Sequence, residues 1–286
     1  MKYHRKFKST GKIMIVACAA TAAAALLSSP GSASTGGAAA LLYDYEFTGT
    51  TGTVVNSAPN GPVVPLTLDG TWSPVASGVQ FSGNTTGDES VAFGQSASGY
   101  TLNELGSATV GFGARIKYQR PATGTCFTST PNLSQIGLYN AQPVPAQAKL
   151  QLSDCQTSST QVMVECRFAG SLTTASEDPP VVSTLPLVSG NLYNISCVKA
   201  PDKNGMTTIT LNVTAVKTGV TTTNTFTVNA VGYLKTHQYI SAGNVYPLPA
   251  PADNTNQFTG NMTRTVYCAG TGTQVASCLT TYLPAK

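Results

Sequence analysis

The sequence predicts an all-β protein: an antiparallel, two-sheet sandwich of the jelly-roll type. Three observations carry this. Apolar and polar residues alternate with period two along most of the chain, the pattern of a strand with one buried face. Turn-forming pairs separate the alternating runs at roughly ten-residue intervals, the spacing of sandwiches and barrels. Charged residues make up only 10% of the 286 residues while hydrophobic ones reach 41%. Such a chain is too apolar for disorder, and its 27 Gly and 17 Pro disfavour a helical bundle.

The strands follow in order. In Leu41-Leu42-Tyr43-Asp44-Tyr45-Glu46-Phe47 the odd positions are apolar and the even ones mostly polar. Runs at 63–68, 77–82 and 90–94 come next, punctuated by Asn60-Gly61 and Asp69-Gly70. Val110, Phe112, Ala114, Ile116 and Tyr118 share one face of a long strand, with Gly111, Gly113, Arg115 and Lys117 on the other. Further runs lie at 134–139, 147–153, 161–168 and 192–198. Ile209, Leu211, Val213 and Ala215 alternate with Thr208, Thr210, Asn212 and Thr214 after the turn Lys203-Asn204-Gly205. The last runs are 224–231 and 257–267. Abundant Thr, Val and Tyr suit the same state. Helical periodicity is absent beyond the N-terminal segment, and no linker or internal repeat divides the chain.

The N-terminal segment has another purpose. Met1–Lys12 is basic, Ile13–Leu27 is an uncharged, weakly apolar run, and Ser28-Ser29-Pro30-Gly31-Ser32-Ala33 supplies small residues for cleavage. Residues 1–33 therefore read as a secretory signal peptide of the Gram-positive kind, leaving a domain at 34–286. A run of this length falls short of the ~20 residues that span a bilayer. Ile15-Val16-Ala17-Cys18 resembles a lipoprotein cleavage box, but the apolar run continues past Cys18, which reads as part of the signal's own hydrophobic stretch. The expected location is outside the cell, free or associated with its surface, with no membrane contact once the signal is removed.

Charge and cysteine usage narrow the function classes. Five of the sixteen Lys and Arg lie in the first twelve residues, leaving eleven against twelve acids in the remainder. A near-neutral domain carries no electrostatic footprint for nucleic acid. Six Cys remain after the signal: Cys126, Cys155, Cys166, Cys197, Cys268 and Cys278. An even count in an exported chain argues for three disulfides, although six Cys allow fifteen pairings. Zinc is disfavoured, because no CxxC pair exists and His237 is the sole His of the domain.

With the strands in place, the order of four segments resembles a laminin G-like domain of the concanavalin A-like lectin/glucanase superfamily, in its secreted actinobacterial form. Leu42-Tyr43-Asp44-Tyr45-Glu46-Phe47, Asn60-Gly61 and Leu66-Thr67-Leu68-Asp69-Gly70 match the opening strands. Gly78-Val79-Gln80-Phe81-Ser82-Gly83 follows them. The middle runs from Asn132-Leu133-Ser134-Gln135-Ile136-Gly137 through Glu165-Cys166-Arg167-Phe168 to Tyr193-Asn194-Ile195-Ser196-Cys197. Ala242-Gly243-Asn244 and Asn254-Thr255-Asn256-Gln257-Phe258-Thr259-Gly260 close the domain. Three departures stand out. Leu192-Tyr193 replaces a frequent Trp-His, no Asp-Gly turn follows 209–213, and Asn256 and Thr263 stand where Asp is common. No cofactor is therefore expected. Ca²⁺ prefers charged oxygen ligands, and were it to bind, Asp253, Asn254 and Asn256 would hold it. If the strands bearing them are neighbours, as the resemblance implies, a Cys166–Cys197 bridge is natural. Cys268 and Cys278 flank Gly270-Thr271-Gly272 and would staple a terminal hairpin, leaving Cys126 with Cys155.

The resemblance implies a secreted, non-catalytic recognition module for carbohydrate or another extracellular polymer. Sugar rings stack on aromatic faces, so Trp72, Tyr100, Tyr139, Tyr239 and Tyr246, all in or near loops, are the candidate binding residues. A protein-binding, adhesive surface protein is the first alternative. An atypical glycoside hydrolase is the second, since the superfamily includes glucanases. For that role Asp44 and Glu46 lie roughly 6.5–7 Å apart along a strand, against ~5–5.5 Å in a retaining glycosidase. The next position in register is Thr48, and the pair reads as a solvated sheet face. Asp88-Glu89 reads as a solvated loop, and His237 as a surface residue of a connecting segment spanning Tyr233–Tyr239. No nucleophile elbow or phosphate loop is present.

Overall fold

A computed structural model describes residues 40–59, 61, 63–82, 91–95, 109–120, 132–138, 147–152, 161–169, 180–202, 204, 206–229, 238–243 and 258–284. All belong to one unit, Gly36–Lys286. The segment 1–33, with Cys18, lies outside the described residues, as do Cys126, Cys155, Asp88, Glu89 and His237.

Among the described residues, sixteen strands and one helix follow in chain order. The first half holds β1 (Ala40–Glu46), β2 (Thr53–Val54), β3 (Leu66–Asp69), β4 (Trp72–Val75), β5 (Gly78–Ser82), β6 (Val91–Gln95), β7 (Thr109–Tyr118) and β8 (Asn132–Leu138). The second holds β9 (Gln147–Leu152), β10 (Val164–Ala169), β11 (Val181–Val182), β12 (Leu192–Pro201), β13 (Met206–Ala215), β14 (Val220–Asn229), β15 (Gln238–Ala242) and β16 (Thr259–Gly270), then α1 (Gly272–Tyr282). They form two eight-stranded sheets whose pairings are antiparallel. One has the order β14-β13-β12-β7-β16-β5-β4, with β1 also on β16; the other runs β11-β10-β9-β8-β15-β6-β3-β2. This is the all-β sandwich that the alternation predicts.

The core lies between the sheets. Tyr43, Tyr45, Phe112, Ile116, Ile195, Leu211 and Met262 face it from the first sheet, and Leu66, Leu150, Leu152 and Val164 from the second. Each such side chain stabilises the fold by about 1.5–3 kcal/mol on burial. Strands β12 and β13 alternate between buried and part-exposed positions, as their sequences require. Cys166 and Cys197 are bridged across this core. Their strands are not neighbours: β10 belongs to one sheet and β12 to the other. Both cysteines have core-facing parity, so the bond ties the sheets face to face.

Strands β7 and β16 depart from simple alternation, being buried on both faces. The cause is α1, where the sequence suggested a hairpin. Thr271 caps this helix: its Oγ1 accepts from Gln274 N (3.3 Å), and Gln274 Oε1 accepts from Thr271 N (2.9 Å). Val275, Cys278 and Leu279 form the buried stripe at i, i+3 and i+4. They pack on Leu41, Val266 and Cys268 as a second, smaller core on the outer face of the first sheet. The Cys268–Cys278 bond thus pins a helix to β16. Gly111 makes the seat, because a Cβ there would lie 2.5 Å from Val275 Cγ1 and 2.8 Å from Leu279 Cδ1.

Candidate functional site

The acidic pair comes first, and its reading is corrected. Asp44 is buried, only 3% exposed. Arg264 reaches it from β16 with two charge-assisted bonds, Nε to Oδ1 (2.6 Å) and Nη2 to Oδ2 (2.7 Å). Ser57 Oγ donates to the same Oδ2 at 2.9 Å. Arg264 Nη2 also lies 3.0 Å from Glu46, and its guanidinium covers the Tyr282 ring at 5.0 Å. The face was expected to be solvated; Glu46 is indeed exposed, but Asp44 is buried beneath the Arg264 guanidinium. Both carboxylates are engaged by one guanidinium, so neither is poised as the general acid of a glycosidase. This cluster joins residues 44–57, β16 and the end of α1, and it reads as structural.

Polar groups of another kind gather farther along β7. A cleft of about 510 Å³ is lined by Ser77, Gln80, Lys117, Tyr118, Gln119 and Asn261, among others. The register places Gln80, Asn261 and Lys117 side by side on β5, β16 and β7. Gln80 Nε2 donates to Gln119 Oε1 (3.1 Å) and to the Phe81 carbonyl (3.0 Å). By valence, Gln80 then keeps an acceptor oxygen and Gln119 a donor nitrogen. Asn261 is 7% exposed; its Nδ2 donates to Ser77 Oγ (3.0 Å), while its Oδ1 has no partner among the described residues. Gly78 has φ +146°, and a Cβ there would lie 2.8 Å from that oxygen.

A second hollow of about 250 Å³ adjoins the first, sharing Tyr118 and Ser189 and adding Arg120, Gln161 and the turn 186–188. This wall is held firmly. Tyr118 N donates to the Asn191 carbonyl (3.1 Å), and Gly190 N donates to the Tyr118 carbonyl (2.8 Å). Gly190 adopts φ +85°, which favours glycine. Arg120 N donates to Ser189 Oγ at 3.1 Å, leaving that hydroxyl's own hydrogen to donate. Tyr118 is 2% exposed and its hydroxyl is unpartnered among the described residues. Burial raises its pKa, with the Arg120 charge opposing. A buried hydroxyl without a partner costs ~1–3 kcal/mol, which marks it as worth explaining.

The aromatic candidates fare variously. Trp72 lies on β4, not in a loop; it is half-buried and packs against the main core, with Gly52 beneath the indole. It does not line the cleft. Tyr239 belongs to β15, so the segment read as a connection before it enters a strand paired with β6 and β8. Tyr100, Tyr139, Tyr246, Asp253, Asn254 and Asn256 lie outside the described residues. Among the described residues no three His, Cys, Asp or Glu side chains come together as a metal site. Nor is any described helix long and apolar enough to cross a membrane.

The cleft residues were missed because strand parity assigns Tyr118 to the core and leaves Gln80, Lys117 and Asn261 as ordinary outward positions. One signal was available. Arg115, Lys117 and Arg120 place three cations within six residues of a nearly neutral domain.

Comparison with known proteins bears on the fold class alone. No family model matches the sequence, and no curated protein matches it. Among solved structures, the botulinum neurotoxin serotype G binding domain is similar at 9% identity, covering 84% of this chain and 50% of that one, with a TM-score of 0.48. The LG1-3 region of the laminin α2 chain is similar at 12% identity, covering 68% of this chain and 31% of its own, with a TM-score of 0.40. Basic winged bean lectin is similar at 11% identity, covering 80% and 97%, also with a TM-score of 0.40. The chain thus spans about a third of the laminin structure, half of the neurotoxin domain and nearly all of the lectin.

Proposed function

We propose that this protein is a secreted, extracellular recognition module that binds a carbohydrate chain in the cleft between the β4–β5 turn, the end of β7 and the 188–191 turn. One observation carries the reading. The cleft is lined by amides and hydroxyls whose valences are incompletely used, above all the buried Asn261 Oδ1. Sugars present closely spaced hydroxyls that donate and accept at once, which suits such a lining. Two disulfides suit an oxidising compartment. The first test is affinity electrophoresis of the purified protein through gels containing soluble polysaccharides. Retardation by at least one polymer is expected, and Gln80→Ala with Gln119→Ala should weaken it about tenfold, the worth of one or two hydrogen bonds. A folded protein that no polymer retards would contradict the reading.

A second reading, protein adhesion, is favoured by β14. Among the described residues this strand pairs only with β13, in unbroken register over ten residues. It has no Pro or charge, and Phe226 is 40% exposed on it. Unprotected edges of this kind accept another strand. Thr223→Lys should abolish a protein interaction made there while leaving polysaccharide retardation unchanged.

A further inference from the structure

We infer that the cleft selects acidic polysaccharides, seating an anionic group among Arg120, the Tyr118 hydroxyl and the Ser189 hydroxyl, with Lys117 across the shared wall. The inference rests on the carbohydrate reading above and names the ligand class. The two adjoining hollows contain Lys117 and Arg120, and no carboxylate is among the described residues that line them. Among the described residues, two arginines are matched with acids, Arg264 with Asp44 and Glu46 and Arg167 with Glu165, while Arg115 is not. Lys117 and Arg120 have no acidic partner among the described residues. Donors are plentiful here. Arg and Lys offer donors only, and Ser189 Oγ, which accepts from Arg120 N, keeps its own hydrogen to donate. The Tyr118 hydroxyl, buried and without a partner among the described residues, is an independent pointer to a missing polar partner, which an anionic oxygen could supply. Hydroxyl donors in hollows that also hold a guanidinium and an ammonium suit a carboxylate, sulfate or phosphate oxygen better than a neutral hydroxyl. Domain charge does not explain the pairing, since acids outnumber bases beyond residue 12.

The test compares polygalacturonate with its fully methyl-esterified form, which keeps the sugar and removes the charge, and adds dextran sulfate as a second anion. Binding is followed by titration calorimetry of the purified full-length protein at two salt concentrations. Polygalacturonate should bind at least about tenfold more tightly than the ester, and more weakly at high salt. Arg120→Gln should reduce that difference about tenfold, the effect of losing one charge-assisted bond. Tyr118→Phe should weaken polygalacturonate binding while the thermal midpoint stays level or rises, because a buried unpaired hydroxyl is removed. A purely structural Tyr118 would not separate those two readouts. Tighter binding of polygalacturonate than of dextran sulfate would support carboxylate geometry, and equal binding would support charge as the selected feature. Equal binding of acid and ester would overturn the inference while leaving the carbohydrate reading intact. Acid binding that Arg120→Gln leaves untouched would overturn it also. Binding of none of the three would count against the carbohydrate reading itself.

Discussion

Two polar regions lie next to one another on the first sheet, and they differ in how their valences are filled. Arg115 and Lys117 on β7, about 6.8 Å apart along the strand, border the two. On the Arg115 side, Asp44, Glu46, Arg264, Ser57 and Tyr282 form a closed set, in which both oxygens of the buried acid accept hydrogen bonds. On the Lys117 side, Asn261 and Tyr118 carry oxygens with no partner among the described residues, and the cations have no acids. Charge and burial alone would nominate the first as the site. Unused hydrogen-bonding capacity nominates the second.

The comparison breaks most visibly at the closed set. Arg264→Met should destabilise the protein by about 3–5 kcal/mol, because it strands a buried carboxylate; denaturant unfolding reads this directly. Polysaccharide binding by the fraction that remains folded should not change. Removing Cys268 and Cys278 together should cost about 2–3 kcal/mol for so short a loop. Gly111→Ala should cost about 1–3 kcal/mol, since its methyl would intrude on Val275 and Leu279. If α1 could shift freely, that substitution would be silent.

A fourth prediction concerns pH. Lys199 points into the main core from β12, and burial lowers its pKa from 10.5 to about 8. Between those values the unfolded chain holds a proton that the folded protein has released. Stability from this group therefore rises as pH climbs from about 8 towards 10.5, and is lost as pH falls through 8. Lys199→Met should flatten the unfolding free energy across that window, with the wild type rising relative to it. Equal slopes would show that Lys199 is not desolvated.

Much of the fold was legible because period-two alternation is a direct consequence of a sheet with one dry face. Strands β12 and β13 show it almost residue by residue. It failed where both faces are dry. In β7, the outward Gly111 and Gly113 looked polar by default, whereas they are the seat of α1. The helix itself was written in Thr271-Gly272-Thr273-Gln274, a capping box followed by Val275, Cys278 and Leu279, but the glycines suggested a turn. Cys166 and Cys197 were correctly oriented by parity, yet parity cannot distinguish neighbouring strands from facing ones. The cleft was the least legible feature. It depends on the register of β5, β16 and β7, which brings together residues 80, 117 and 261, and sequence spacing carries no trace of that.

The most direct measurement is a titration of ¹⁵N-labelled protein with galacturonate oligosaccharides, following the side-chain amide signals of Gln80, Gln119 and Asn261. Saturable shifts at these three, with the side-chain amides of Asn212 and Asn224 unmoved, are the predicted result. Saturable binding that shifts the Asn212 and Asn224 amides and leaves the cleft amides still would contradict the assignment of this cleft as the recognition site.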